Sequence, residues 1–352
     1  MDTKLFKVSP EALDTPEAKS ILQEAADLLK IGRLVAMPTE TVYGLAACAL
    51  DSVAVGRIFK AKDRPADNPL ILHIASADEL DTIAAVVPDS AHRLAEAFWP
   101  GPLTMVLERR PEIPAICSAG LPTVAVRCPS HPVARALIRA AGFPLAAPSA
   151  NCSGRPSPTT ADHVMADLGG RIEAVIDGGS CAVGLESTVI SPAGIPTILR
   201  PGGITPDQIR AVLGEVMVDH AVLEPLTLNE HPQSPGMKYA HYAPRTTILL
   251  IEGGEQETIT YINEQGQAHG DVCALCFDEM ADAIRVPKVA LGGRDDLEAQ
   301  SHRLFAALRQ IDELGCTVCY AVTPAANGIG LAVYNRLLRA AGFQVRKLGG
   351  GQ

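Results

Sequence analysis

The sequence predicts two α/β units in tandem: a mixed α/β domain over residues 1–213, an extended segment over 214–245, and a smaller Rossmann-like parallel domain over 246–352. Three observations carry this. The chain has 352 residues, well beyond the roughly 150 of one typical domain. Its first part holds more short apolar runs than a simple strand–helix repeat would give. Its last part alternates apolar and helical runs regularly, as parallel sheets do. Between them, LEPLTLNEHPQSPGMKYAHYAP is broken repeatedly by proline and has little helical period.

Each element follows from local signals. Thr15 as N-cap, Pro16 at N1, the spacing of Ile21, Leu22, Ala25, Leu28 and Leu29, and Gly32 as stop predict the first helix. A buried strand over 34–37 runs into PTETVYGLA, and a helix follows from about Asp51 to Lys62. Leu70–Ile74 reads as a strand, and Ser76 with Glu79 as a capping box that opens a helix. Strands are expected at 103–107, 124–127, 145–147, 174–176, 188–190 and 197–199, with helices at 131–141, 160–168 and 205–213. In the last third, strands fit 247–251, 272–277, 286–291, 317–322 and 344–347, with helices at 255–263, 297–314 and 331–341.

Apolar residues make up 47% of the chain and charged residues 20%, so both parts can bury cores and low-complexity disorder is excluded. The net charge is −10, and each part is acidic on its own count, which argues against a broad nucleic-acid-binding surface. No apolar stretch reaches the length of a membrane span, and MDTKLFKVSPEALD does not read as a secretory signal. Nine cysteines, an odd number in a chain of ordinary size, suit reduced thiols, so a cytoplasmic location is expected.

Several polar clusters can carry chemistry. Arg57, Lys60, Lys62 and Arg64 lead into RPADNPLILH, where Pro65 and Pro69 end the helix. Cations suit a helix C-terminus, and they equally suit a phosphate clamp on a short rigid loop. PTETVYGLA puts Thr39, Glu40, Thr41 and Tyr43 directly after a strand, at the mouth of the sheet, or simply in a self-satisfied turn. His73 in LILHI reads first as a core histidine. APSANCSGRPSP offers Ser149, Asn151, Ser153, Arg155 and Ser157 as turn residues or as neutral hydrogen-bonding groups for a nucleotide. Arg127 closes the apolar strand TVAVR and needs an acceptor, for which a carboxylate is the natural partner. Glu186, Ser187, Thr188 and Arg200 repeat the pattern in GLESTVI and ILRPGGI. Cys273-x2-Cys276 and Cys316-x2-Cys319 have zinc-like spacing, but residues three apart on a strand face opposite ways, so no metal site is expected. There is no Walker A loop and no GxGxxG after the first strand of the second domain.

PTETVYGL, KAKDRPADNPLILH, PTVAVRCPSHP, APSANCSG, GLESTVI and ILRPGG, in this order, resemble the YrdC-like domain of the L-threonylcarbamoyladenylate synthases. SPGMKYAHYAP and the C-terminal domain resemble the long, two-domain form of that family. The resemblance implies a twisted mixed sheet around a large cavity. It implies a nucleotidyltransferase that makes threonylcarbamoyl-AMP and pyrophosphate from L-threonine, bicarbonate and ATP, with Mg2+ accompanying ATP, for N6-threonylcarbamoyladenosine in tRNA. By the same resemblance Arg64, Asn68, Thr123, Ser149, Ser157 and Arg200 contact ATP, and Lys62 and Arg64 form the catalytic phosphate-binding pair. Tyr239 and Tyr242 are both candidates to cover the nucleotide, while Thr41, His73, Arg127, Ser187 and the backbone of Ala147 contact threonine. Asp63, between the two cations, is expected to weaken the clamp slightly. Transient contact with tRNA or tRNA-modifying enzymes is compatible with this reading. The alternative is a non-catalytic module that binds double-stranded RNA or tRNA.

Overall fold

The computed structural model describes residues 2–224 and 242–349. They form two compact units, one of residues 2–153 and 157–222, the other of 154–156, 223–224 and 242–349.

The strands of the first unit are β1 (Lys4–Lys7), β2 (Val35–Met37), β3 (Gly44–Cys48), β4 (Ile71–His73), β5 (Ala84–Val86) and β6 (Leu103–Arg109). They continue with β7 (Thr123–Arg127), β8 (Leu145–Ala146), β9 (Ala174–Asp177), β10 (Thr188–Ser191), β11 (Thr197–Arg200) and β12 (Met217–Val218). All lie in one mixed sheet of order β1-β9-β2-β3-β8-β4-β7-β6-β10-β11-β12, with β5 also on β6. The pairs β4/β7 and β6/β10 are parallel, whereas β6/β7, β4/β8 and β10/β11 are antiparallel.

Helix ends follow the expected chemistry. The Thr15 hydroxyl accepts from the Ala18 amide at the start of Pro16–Lys30. Asp51 accepts from the amides of Val53 and Ala54 to open Ser52–Lys62. Thr205 and Gln208 make a reciprocal capping box at Pro206–Leu213. Gly142 takes a φ of 80° to end Pro132–Ala141, a conformation with little cost only for glycine.

Two expectations change. The helix expected after Ser76 is a 3-10 segment, Ala77–Thr82, in which Ser76 caps the Asp78 amide. Only a short run is available there, because Ala84–Val86 must extend to pair with β6. The expected boundary at 213 also moves. Met217 and Val218 pair in parallel with Thr197 and Ile198, so β12 belongs to the first sheet, and that unit runs to residue 222. A two-residue strand has no period for the sequence to display. The middle of the expected linker, residues 225–241, lies outside the described residues.

Alternation along the central strands divides the sheet into two faces. Leu72, Val124, Val126, Leu103, Met105, Leu107 and Ile190 join the main apolar core on one side. Ile71, Ala125, Val106 and Val189 form a small separate cluster with Leu199 and Ala221 on the other. His73, Thr123, Arg127 and Thr104 share the parity of this second set. The second face is therefore a largely apolar floor carrying a few polar side chains.

The second unit contains β13 (Thr247–Glu252), β14 (Val272–Cys276), β15 (Lys288–Ala290), β16 (Val318–Val322) and β17 (Val345–Lys347). Their order is β15-β14-β16-β13-β17, with every neighbouring pair parallel, as the regular alternation predicts. The helices Glu255–His269, Leu297–Glu313 and Gly330–Ala340 connect them. Cys273 is the register partner of Cys319, whereas the Cys276 thiol donates to the Val289 carbonyl, so the first CxxC pair is split between environments. Among the described residues no group of three His, Cys, Asp or Glu side chains could hold a metal ion.

Candidate functional site

The centre of the polar face is Arg127, the last residue of β7, which is 3% exposed. Its guanidinium donates from Nε to the Gly101 carbonyl at 3.2 Å and from one Nη to the Thr41 hydroxyl at 2.8 Å. The other Nη lies 2.7 Å from the Glu40 carboxylate. The carboxylate that the arginine requires thus comes from the chain itself. These contacts fix the plane of the guanidinium and leave part of its five-donor fork for a ligand. The 2.7 Å contact is an ion pair. Burial pushes the Glu40 carboxyl up, but the charge and hydrogen bond of Arg127 and the Ser130 amide outweigh it and hold the acid below its ordinary value of 4.5.

Thr41 is placed by the turn between β2 and β3. The Thr39 hydroxyl donates to the Val42 carbonyl at 2.6 Å and lies 2.8 Å from the Thr41 hydroxyl. His73 sits in register with Arg127 on the neighbouring parallel strand. Its Nδ1 is 3.2 Å from the Ile71 carbonyl. Burial, and then the charge of Arg127, lowers the imidazole to about 3. His73 is therefore a neutral hydrogen-bonding group at physiological pH. Ala147 is buried and gives its amide to Ile71 at 3.0 Å. Thr41, His73 and Arg127 thus gather around two adjacent strand ends.

The neighbouring strands carry a second group. The Ser187 hydroxyl is 2.7 Å from that of Thr104, and Arg200 donates through Nη2 to the Ser187 carbonyl at 2.9 Å. Ser157 donates to Glu186 at 2.6 Å. Thr104 was not singled out by the sequence; a lone threonine alternating with the apolar residues of LTMVL is the signal that would have found it. Glu186 was visible in GLESTVI and Ser157 in APSANCSGRPSP, but their pairing was not.

The third group joins the loop before β4 to the loop after β8, which lie side by side because those strands are antiparallel. Asn68 is buried. Half-buried Arg64 folds over the same turn, donating to the carbonyls of Pro69 at 3.0 Å and Asn68 at 3.4 Å. Thr123, half-buried, begins β7 at the same end. Asp63 ends its helix in the left-handed region, with φ 53°, and turns its carboxylate to Arg171 at 2.9 Å, so its charge is already partnered away from Arg64. Lys62 departs from the expectation of a phosphate-facing cation. It is 1% exposed, and its ammonium donates to the carbonyls of Ser149 and Asn151, each at 2.5 Å.

Of the two linker tyrosines, Tyr239 lies outside the described residues. The Tyr242 ring is buried in the second unit, 5.3 Å from the Phe305 ring centroid and 5.6 Å from the Arg336 guanidinium carbon.

An apolar sheet face studded with an arginine–carboxylate pair, a neutral histidine and paired hydroxyls defines a binding protein for a small polar molecule, with an adjoining cationic loop suited to an anion. Comparison with known proteins specifies the class. A family profile described as "Telomere recombination" (Sua5, YciO and YrdC) matches residues 27–202, and one described as "Threonylcarbamoyl-AMP synthase, C-terminal domain" matches residues 204–342. The chain belongs to this two-domain threonylcarbamoyl-AMP synthase family. It is 46% identical to the Bacillus subtilis threonylcarbamoyl-AMP synthase, covering 92% of this chain and 94% of that one. It is 45% identical to the Pyrococcus abyssi enzyme of the same name over 92% and 95% of the two chains. The crystal structure of Pyrococcus abyssi Sua5 complexed with L-threonine superposes with a TM-score of 0.90 at 42% identity, covering 98% of this chain and 100% of that one.

Proposed function

We propose that the protein is a threonylcarbamoyl-AMP synthase that converts L-threonine, bicarbonate or CO2, and ATP into threonylcarbamoyl-AMP and pyrophosphate, supplying the threonylcarbamoyl group for threonylcarbamoyladenosine in tRNA. The observation that carries this reading is the likeness of both units together, over 98% of the chain, to an enzyme captured with L-threonine. The Arg127–Glu40–Thr41–His73 arrangement supports it. The free donors of Arg127 suit an amino-acid carboxylate, and neutral His73 with the Thr41 and Ser187 hydroxyls suits the β-hydroxyl. Ala147 contributes backbone only.

The chemistry needs this kind of site more than it needs a nucleophile. The threonine amine captures CO2 as a carbamate, and a carbamate oxygen then attacks the α-phosphorus of ATP, expelling pyrophosphate. Charge develops on phosphoryl oxygens, where fixed donors and cations are most effective. Arg64, Asn68, Thr123, Ser149, Ser157 and Arg200 are the groups proposed to hold the nucleotide. Mg2+ enters as part of the MgATP substrate, carried by the phosphates. A carbamate is lost readily in water, so the buried floor around Ile71, Val106 and Ala125 suits its survival. The cytoplasm is the proposed location; no helix among the described residues is long and apolar enough to cross a membrane.

The test is pyrophosphate release from ATP by the full chain. Release that requires both L-threonine and bicarbonate is expected. Release with carbamoyl phosphate in place of both, or none under any condition, would overturn the assignment.

A further inference from the structure

Lys62 is a buried cation in the candidate nucleotide site, yet the chain's own backbone already occupies it. The segment Pro148–Ser153 is held on one side by the strand that follows the PTET turn. The Leu45 amide donates to the Pro148 carbonyl and the Ala150 amide to the Tyr43 carbonyl, both at 2.7 Å, and Gly44 and Ser149 form a bridge. On the other side the segment meets the end of the helix Ser52–Lys62, and its Cys152 thiol donates to the Asp167 carbonyl at 3.2 Å. At the helix end the Ser153 amide donates to the Lys62 carbonyl at 2.8 Å, and the Lys62 ammonium donates to the carbonyls of Ser149 and Asn151.

We propose that Lys62 is a positioning residue. It clasps two carbonyls of the Ser149–Asn151 segment and so presets the Ser149 hydroxyl for the nucleotide, rather than touching phosphate itself. An ammonium has three donors and two are spent, both inside the protein. With the clasp gone, two inward-facing carbonyls lose their partner, which favours an alternative loop path. The groups that face the ammonium are Arg64, Cys152 and Asp167. Burial first, and then Arg64, lowers the amine to about 7; the neutral amine keeps two donors, so the clasp survives deprotonation. This inference rests on the proposed synthase reading for the identity of the nucleotide.

The experiment uses the full chain as wild type and Lys62→Met. In ligand-free protein, hydrogen exchange over residues 149–153 should speed up at least tenfold in the variant. The ATP KM should rise about tenfold while the threonine KM moves less than threefold. Unchanged exchange in a folded variant would overturn the clasp. Should Lys62→Met fail to fold, amine labelling of wild type decides. The clasp predicts that Lys62 is unreactive with and without ATP, whereas a phosphate ligand would label in the free protein and be protected by ATP. Wild type that releases no threonine-dependent pyrophosphate would sink the function assignment, while the ligand-free exchange and labelling still judge the clasp.

Discussion

Glu40→Gln removes one charge from the buried pair with Arg127 and almost no volume. At 2.7 Å the two charges attract by about 6 kcal/mol if the effective dielectric constant is about 20. Desolvation offsets much of that in the intact pair, but removing a single partner leaves the other charge buried and uncompensated, which costs about 3–5 kcal/mol. Glutamine keeps an acceptor for the guanidinium, so the lower end, about 3 kcal/mol, is expected. For a unit of this size that is a fall of roughly 6–12 °C in Tm. Calorimetry of wild type, Glu40→Gln, Arg127→Met and the double variant measures it. The double variant should be no less stable than the worse single one, a coupling of at least ~2 kcal/mol. The folded carboxyl lies below its unfolded value, so its contribution is full above pH 4.5 and fades as pH falls through the lower folded value. The gap between wild type and Glu40→Gln should close on acidification. Single effects that add to within ~0.5 kcal/mol would refute the argument, because they would mean that the two groups do not sense each other.

Arg127→Lys keeps the charge but loses the fork that reaches Gly101, Thr41 and Glu40, so the threonine KM should rise at least about tenfold, with ATP affinity little changed, as measured by steady-state kinetics. Arg64→Ala should depress turnover by at least about tenfold on the scale of one lost charge-assisted bond, with Tm within a few degrees of wild type. The Lys62 amine is lowered from 10.5 to about 7, so wild-type stability should rise as pH goes from about 7 to 10.5, and Lys62→Met should flatten that slope in pH-dependent melting. Tyr242→Ala empties a packed ring site and should cost about 3–5 kcal/mol in the second unit, seen by calorimetry.

How legible all this was depended on the range of the interaction. The cap at Thr15 lies within four residues of what it binds, and sequence spacing displays it directly. The parallel sheet of the second unit was legible because strand and helix alternate there with a constant period. The order of the twelve-stranded sheet was not, since β1 pairs with β9 across about 170 residues and no local pattern encodes that. The site shows the same division. Arg127 announced that it needed a carboxylate, and Glu40 was visible in PTETVYGLA, but 87 residues separate them. Sequence reasoning therefore left open which carboxylate meets Arg127. The surroundings of Lys62 were hidden for a related reason. A lysine at a helix end looks like a solvated or ligand-facing cation until the return of Ser149 and Asn151, 87 and 89 residues on, encloses it.

The placement of charge also indicates which groups can respond to substrate. Arg127 is tied to three partners on two other segments, and Lys62 to two carbonyls inside the fold; moving either would break contacts that nothing in the site replaces. Arg64 differs. It is half-buried, and its bonds to the Asn68 and Pro69 carbonyls, at 3.4 and 3.0 Å, lie within its own turn. Exchanging neutral carbonyls for phosphate oxygens gains charge-assisted bonds. Fixed cations therefore define where threonine and the loop sit, and the adaptable one follows the charge that moves onto pyrophosphate. Loss of Arg64 should then lower kcat more than it raises the ATP KM, whereas loss of the Lys62 clasp should act mainly on the ATP KM. If the two variants shared one kinetic signature, this division of labour between fixed and adaptable cations would be wrong.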